Sequence, residues 1–181
     1  MLALGAVLLT SGARTIAGST PTTEQLQAAL LMTFARFTEW PAGGFTSPSA
    51  PLVVGFVADE AATEAFELAA RGKNVSGRPV IARRLQWDSD PTGTHVLLIG
   101  QSERRRLAEV LQRAERRPIL TVSRLAEFGE AGGMITLKSD GGRVSFAVNA
   151  QATGASGLRL SSFLLSHATA VSEPAGPGAA R

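Results

Sequence analysis

The chain has 181 residues, of which 44% are hydrophobic and 18% are charged, and it contains no cysteine. This length suits one domain with a proper hydrophobic core, and the composition is that of a globular rather than a disordered protein. The lack of cysteine excludes disulfides, thiolate nucleophiles and sulfur-ligated metal sites. The net charge of +3 is too small to indicate nucleic-acid binding.

The first residues are typical of a secretory signal peptide. An apolar run over residues 2–10 is too short to span a bilayer, and Thr15-Ile16-Ala17 fits a cleavage site. The basic segment that normally precedes such a run is missing, so either the start site lies upstream or the terminal amine alone supplies the charge. We expect residues 1–18 to be a signal peptide, residues 22–170 to form one domain and residues 171–181 to be a disordered tail.

The first half of the domain is predicted to alternate helices and strands. Thr22 and Gln25 fit a capping box, and apolar residues then recur at helical spacing as far as Phe37. Trp40-Pro41 ends this helix, because the residue before a proline avoids the α region. The next predicted elements are a strand over 52–57, a helix capped by Asp59 over 59–70, and a strand over 79–85.

The second half continues this alternation and finishes with a hairpin. The predicted elements are a strand over 95–99, a helix from 102, a strand over 119–122, a short helix capped by Ser123 and ending near Gly129, a hairpin of 134–138 and 143–149, and a helix over 160–168. This pattern predicts a single α/β domain with a mixed, mostly parallel sheet, helices on both faces and a C-terminal β-hairpin.

No motif of a familiar active site is present in the chain. The G-x-G-x-x-G, P-loop, H-E-x-x-H, G-x-S-x-G and S-x-x-K patterns are all missing. The two histidines, His95 and His167, are far apart in sequence, and His95 opens an apolar strand, where a structural role is the better explanation. We predict no catalytic residue, no metal site and no cofactor.

Cationic residues offer two candidate binding sites. Arginines crowd the segment 104–117, which is either an anion-binding surface or the solvated face of an amphipathic helix. The absence of interleaved aromatic residues favours the second interpretation. A site for a small anionic ligand would combine the hydroxyl of Ser123, between a strand and a helix, with Lys73, Arg78 and Arg159. A helix cap and a plain turn explain Ser123 and the Lys73–Arg78 loop equally well.

Several sequence blocks resemble the YfiR-like proteins. Residues 34–41, Phe-Ala-Arg-Phe-Thr-Glu-Trp-Pro, resemble the F-x-x-F-x-x-W-P signature of that family. Further blocks follow in the family's order at 72–73, 77–79, 95–99, 119–123, 132–135, 144–149 and 157–162. Their joint order, rather than any single block, makes the resemblance specific over about residues 24–168.

The resemblance implies a periplasmic repressor that binds the sensor domain of an inner-membrane diguanylate cyclase and so controls cyclic di-GMP and biofilm growth. It also allows a homodimer, whereas the disulfide-based regulation of some relatives cannot apply to a chain without cysteine. Candidate partner contacts are Trp40, which is otherwise a core residue, and Phe163 and Leu164 in the last helix. The alternative is a periplasmic small-ligand sensor that acts on another membrane protein, such as a sensor kinase.

Overall fold

The computed structural model describes residues 20–140 and 143–172. The expected signal peptide and all but the first two residues of the expected tail lie outside these ranges. In chain order, the elements are α1 (Thr23–Arg36), β1 (Thr38–Glu39), β2 (Leu52–Val57), α2 (Glu60–Ala70), β3 (Asn74–Val75), β4 (Arg78–Leu85), β5 (Val96–Ile99), a 3-10 helix (Gln101–Arg106), α3 (Leu107–Ala114), β6 (Leu120–Ser123), β7 (Ile135–Asp140), β8 (Arg143–Asn149), α4 (Ala150–Ala155), β9 (Arg159–Leu160), α5 (Ser162–Ser166) and β10 (Ala170–Ser172).

The central sheet has eight strands in the order β10-β8-β7-β6-β5-β2-β4-β3. Five neighbouring strands run parallel, in the spatial order β4, β2, β5, β6 and β7. The second of these strands along the chain therefore lies at one side, followed by the first, third, fourth and fifth, which is the strand order of a doubly wound α/β protein. Strands β7 and β8 form the antiparallel hairpin, and β10 adds to β8 in parallel. The predicted mixed sheet with a C-terminal hairpin is therefore confirmed.

Helices cover both faces of the sheet, which gives two hydrophobic clusters. The first cluster lies under α1 and α2, with Phe34 and Phe66 completely buried. The second lies under α3, where Val110 and Leu111 pack on the opposite face of the sheet. The large buried aliphatic side chains on both sides of the parallel strands explain why these strands appear as continuous apolar runs in the sequence.

The predicted starts of the first two helices and the predicted hairpin register are also observed. Thr22 accepts a hydrogen bond from the Gln25 backbone N–H, and the Gln25 side chain accepts one from the Thr22 N–H. Asp59 caps α2 by accepting from the Ala62 N–H. In the hairpin, Leu137 lies opposite Phe146, and both face the first cluster as their alternation with polar residues predicts.

The prediction of a short helix after Ser123 is wrong. The Ser123 hydroxyl donates to the Ile99 carbonyl and accepts from the Leu125 N–H, so it closes a tight turn two residues long instead of capping a helix. The predicted helix over 160–168 is also shorter than expected, because only α5 is helical there. Its flanks form β9 and β10, and β10 includes the first two residues of the expected tail.

Candidate functional site

The F-x-x-F-x-x-W-P segment pairs with the block at 157–162. Strand β1 runs antiparallel to β9, with Thr38 opposite Leu160 and Glu39 opposite Arg159. The Ser161 N–H extends this ladder by donating to the Phe37 carbonyl at 2.9 Å. Two blocks that are far apart in sequence thus form one small sheet beside the amino ends of the parallel strands.

An aromatic cluster follows this small sheet. The Phe45 ring stacks on the His95 imidazole, with centroids 4.1 Å apart. The Arg78 guanidinium also packs over the Phe45 ring, 3.7 Å from its centroid. Trp40 packs edge-on against Phe45 at 5.7 Å. Arg78 also donates to the carbonyls of Ser47 and Ala50, so the cluster fixes the loop between β1 and β2.

His95 is held by backbone groups at both ring nitrogens. Its Nδ1 accepts from the Val53 N–H at 3.1 Å, so the neutral ring carries its proton on Nε2, which lies 3.1 Å from the Gly44 carbonyl. Burial lowers the pKa of His95 below its usual 6.5, the charge of Arg78 lowers it further, and the Gly44 hydrogen bond partly offsets both. The side chain is thus a structural histidine, as expected, with no free nitrogen to act as a base.

A second aromatic group lies at the surface. The Phe163 side chain on α5 is 51% exposed, packs at a tilt against Phe37 with centroids 4.7 Å apart, and lies 4.5 Å from the His167 ring. His167 faces back along the same helix, with Nδ1 2.8 Å from the Phe163 carbonyl. We call Phe37, Phe163 and His167 the α5 surface.

The carboxyl edge of the sheet, where doubly wound proteins usually bind ligands, is closed by the backbone itself. Strands β2 and β5 flank the point where the strand order reverses. There the Gly100 N–H donates to the Val57 carbonyl at 2.8 Å, and the Ser102 hydroxyl donates to the Ala58 carbonyl. A side chain at Gly100 would lie only 2.2 Å from the Ala58 oxygen.

An open cavity of about 770 Å³ lies instead at the amino edge of the sheet. It is bounded by the carboxyl end of α3, the loop between β6 and β7, and α4. Residues from these elements and from strands β6 and β8 line it: Ala108, Leu111, Gln112, Ala114, Glu115, Arg116, Thr121, Gly129, Glu130, Ala131, Gly132, Met134, Asn149, Gln151, Ala152, Ala155 and Ser156.

The four residues predicted to bind an anionic ligand lie on separate elements. Lys73 is exposed just before β3, and Arg159 is exposed on β9 with its nearest carboxylate, Glu39, at 3.9 Å. The polar groups of Arg78 and Ser123 form the hydrogen bonds to the backbone described above. None of the four is among the cavity-lining residues that the structure describes. The ligand role of these residues stays a prediction.

The three predicted partner contacts differ in accessibility. Phe163 presents half of its surface to solvent, Trp40 is partly buried against the first cluster, and Leu164 is buried in that cluster with 2% exposed. Sequence reasoning missed Phe45, an isolated phenylalanine in a loop rich in glycine, serine and proline. It also missed the cavity, whose lining comes from several segments with no shared pattern.

Within the described ranges, no group of three or more His, Asp or Glu side chains could hold a metal ion. In the same part of the chain, none of the helices combines the length and the apolar composition needed to cross a bilayer. The two histidines hydrogen-bond to backbone carbonyls, and the Ser123 hydroxyl is satisfied internally. The polar side chains of this site thus serve to position backbone and aromatic groups.

The fold is that of a doubly wound α/β domain, and its candidate site presents an exposed aromatic ring. The sequence profile of the YfiR/HmsC-like family matches residues 24–169, and the chain belongs to this family. The family consists of periplasmic regulators of diguanylate cyclase signalling rather than enzymes. The resemblance stated from the sequence blocks is thereby confirmed.

Two solved structures share the fold. A conserved domain protein from Vibrio cholerae O1 superposes with a TM-score of 0.56 at 11% identity, covering 85% of this chain and 62% of its own. The ABC domain from Streptococcus pneumoniae, in complex with L-Trp, also has a TM-score of 0.56, at 10% identity, covering 80% of this chain and 60% of its own. The chain therefore spans about three-fifths of each structure, and at these identities the likeness concerns the fold alone. No curated protein matches the sequence.

Proposed function

We propose that this protein binds the periplasmic sensor domain of an inner-membrane diguanylate cyclase and holds the cyclase inactive, which keeps cyclic di-GMP low. Membership in a family of regulators of this signalling supports the proposal. The observation that carries it is the α5 surface, where the signature residue Phe37 supports an aromatic ring that is half exposed.

Phe163 has the properties of an interface anchor. Its ring is held between Phe37 and His167, so little side-chain freedom remains to be lost on binding. Large apolar side chains with half of their surface in water gain most from burial against a partner, and aromatic anchors dominate many protein interfaces. The surface lies next to the β1–β9 ladder, which fixes the position of α5 relative to the sheet.

Repression requires that the protein distinguish two states of the sensor domain. A ligand shifts an equilibrium only by its difference in affinity for the two states. A tenfold preference for the inactive state would shift the equilibrium by about 1.4 kcal/mol. The α5 surface must therefore bind the inactive arrangement of the sensor more tightly than the active one.

The test compares two truncations of exposed apolar side chains. Phe163→Ala removes the proposed anchor, and Leu68→Ala on α2, where the side chain is 63% exposed, is the matched control. Each variant serves as bait for membrane extracts, with mass spectrometry as readout, and cellular cyclic di-GMP is measured alongside. We expect Phe163→Ala to weaken capture of a diguanylate cyclase by roughly 30-fold, as for an anchor worth about 2 kcal/mol, and to raise cyclic di-GMP.

Leu68→Ala should leave both readouts at the wild-type level. Capture of a sensor kinase in place of a cyclase would instead favour the alternative partner. Wild-type bait that retains no membrane signalling protein would overturn the proposed function. Equal capture by Phe163→Ala and wild type would overturn the role of the α5 surface.

A further inference from the structure

We propose that the cavity at the amino edge is a binding site for a small amphipathic amine, that is, a molecule with an apolar body and an ammonium head. The inference goes beyond the proposed function and does not depend on it, because it concerns a site separate from the α5 surface. It rests on how the cavity is built, on its floor and on the charges at its mouth.

The walls of the cavity are fixed by Asn149. Its amide nitrogen donates to the Gly129 carbonyl at 3.0 Å, its amide oxygen accepts from the Ala152 N–H, and its backbone N–H donates to the Met134 carbonyl. One side chain thus joins the end of β8, the β6–β7 loop and the first turn of α4. At about 770 Å³, the cavity falls within the roughly 300–1,000 Å³ range of small-molecule sites.

The floor of the cavity suits an apolar body with a hydrogen-bonding group. Leu111, Ala114 and Met134 are buried and line it with carbon and sulfur atoms. Thr121 is also buried, and its hydroxyl oxygen accepts from the Met134 N–H, which leaves the hydroxyl proton free to donate. The small side chains of α4 on the opposite wall leave room for a flat ring.

The charged side chains that line the cavity are exposed and include more carboxylates than guanidinium groups. They are Glu115, Glu130 and Arg116, so two carboxylates face one guanidinium. The Arg116 guanidinium lies 3.9 Å from Glu115, whereas Glu130 has no ion-pair partner among the described residues. A ligand with a positive head is the one that this arrangement favours.

The chain carries its own reporter for occupancy. Besides Met1, its methionines are Met134, which lines the cavity, and Met32 on α1, which is not among the lining residues. Protein labelled with ¹³C at the methionine methyl groups is titrated with three probes that share a phenyl body: 2-phenylethylamine, 2-phenylethanol and phenylacetate. We expect saturable shifts of the Met134 methyl signal, tightest for the amine and weakest for the acid, with the Met32 signal unchanged.

Two pairs of variants separate the site from nonspecific binding. Ala155→Phe fills the cavity from an exposed position on α4 and should abolish the Met134 shift, whereas Ala61→Phe, exposed on α2, should not. Glu130→Gln should reduce the affinity for the amine by about two- to fivefold and leave that for the alcohol unchanged, since exposed charge pairs contribute up to about 1 kcal/mol. Glu64→Gln, also on α2, is its control.

Three results would overturn the proposal. The first is the absence of a saturable Met134 shift with every probe. The second is equal or tighter binding of the alcohol or the acid than of the amine. The third is unchanged binding to Ala155→Phe, which would place the probe elsewhere. None of these outcomes bears on capture of a cyclase through Phe163, so failure here and failure of the proposed function are distinguishable.

Discussion

His95 ties the loop after Trp40 to the sheet, because its two ring nitrogens bond to Gly44 and Val53 on different segments. Protonation would place a hydrogen on Nδ1, which then could not accept from the Val53 N–H. Among the described residues, the charged group in the stack around the ring is Arg78, which lies over the Phe45 ring and would repel a second cation. The fold therefore favours the neutral imidazole.

This preference predicts that stability falls in mild acid. Because the folded pKa of His95 is below 6.5, the unfolded chain binds a proton first as the pH drops. The contribution of His95 to the free energy of unfolding is thus complete above about pH 6.5 and is lost as the pH falls toward the folded pKa. The loss is about 1.4 kcal/mol for each unit by which the folded pKa lies below the unfolded one. Urea unfolding of wild type and His95→Gln between pH 5 and 8 measures it.

In the His95→Gln variant, the loss of unfolding free energy should be largest at pH 8 and should shrink toward pH 5. The two proteins share every other ionisable group, so the pH dependence of the difference reports on His95. A difference that stays constant over this range would show that His95 titrates alike in the folded and unfolded chains.

At the scale of elements, α4 depends on one side chain. Asn149 both caps this short helix and holds the β6–β7 loop through Gly129. Asn149→Ser should keep the cap and lose the loop bond, at a cost of about 1 kcal/mol, whereas Asn149→Ala should lose both, at about 2 kcal/mol. Chemical denaturation of the two variants checks the order, and equal losses would mean that the cap contributes nothing.

The elements that the sequence predicted correctly are those with a local signal. The capping box at Thr22, the apolar runs of β2 and β5 and the alternation in β7 and β8 all reflect burial along a single segment. The helix after Ser123 failed because a serine hydroxyl can close a turn or cap a helix, and its partner at Ile99 is remote in sequence.

The elements that the sequence missed depend on remote partners. Strands β1, β3 and β9 have two residues each and are strands only because they pair with another segment. No local sequence pattern predicts that pairing. Helix α4 has six residues and includes Gly154, a poor helix former. The same division between local and remote signals applies to the candidate site. The aromatic signature and Phe163 were visible in the sequence, whereas the partnership of Phe45 with His95 and the cavity required the chain to be folded.

For the whole molecule, the closed carboxyl edge explains why the candidate sites collect at the opposite edge. Gly100 allows the ends of β2 and β5 to approach closely, since an added methyl group would lie 2.2 Å from the Ala58 oxygen. The two strands belong to both hydrophobic clusters, because Val54 and Leu98 face the first and Val57 and Ile99 face the second. Separation of their ends should therefore disturb both faces of the sheet at once.

Gly100→Ala should accordingly destabilise the whole domain by about 3 kcal/mol, at the upper end of overpacking effects. The matched control is Gly154→Ala on α4, where the methyl group meets nothing within 4 Å and should stabilise by about 0.5–1 kcal/mol.

Each cluster has its own fluorophore, Trp40 beside the first and Trp87 beside the second, so single-tryptophan versions report on the two separately. Coincident transitions that shift together in Gly100→Ala would show one cooperative unit. A shift at Trp87 alone would show that the face under α3 unfolds independently, and the cavity, whose floor includes Leu111 and Ala114 of the second cluster, would then open with it.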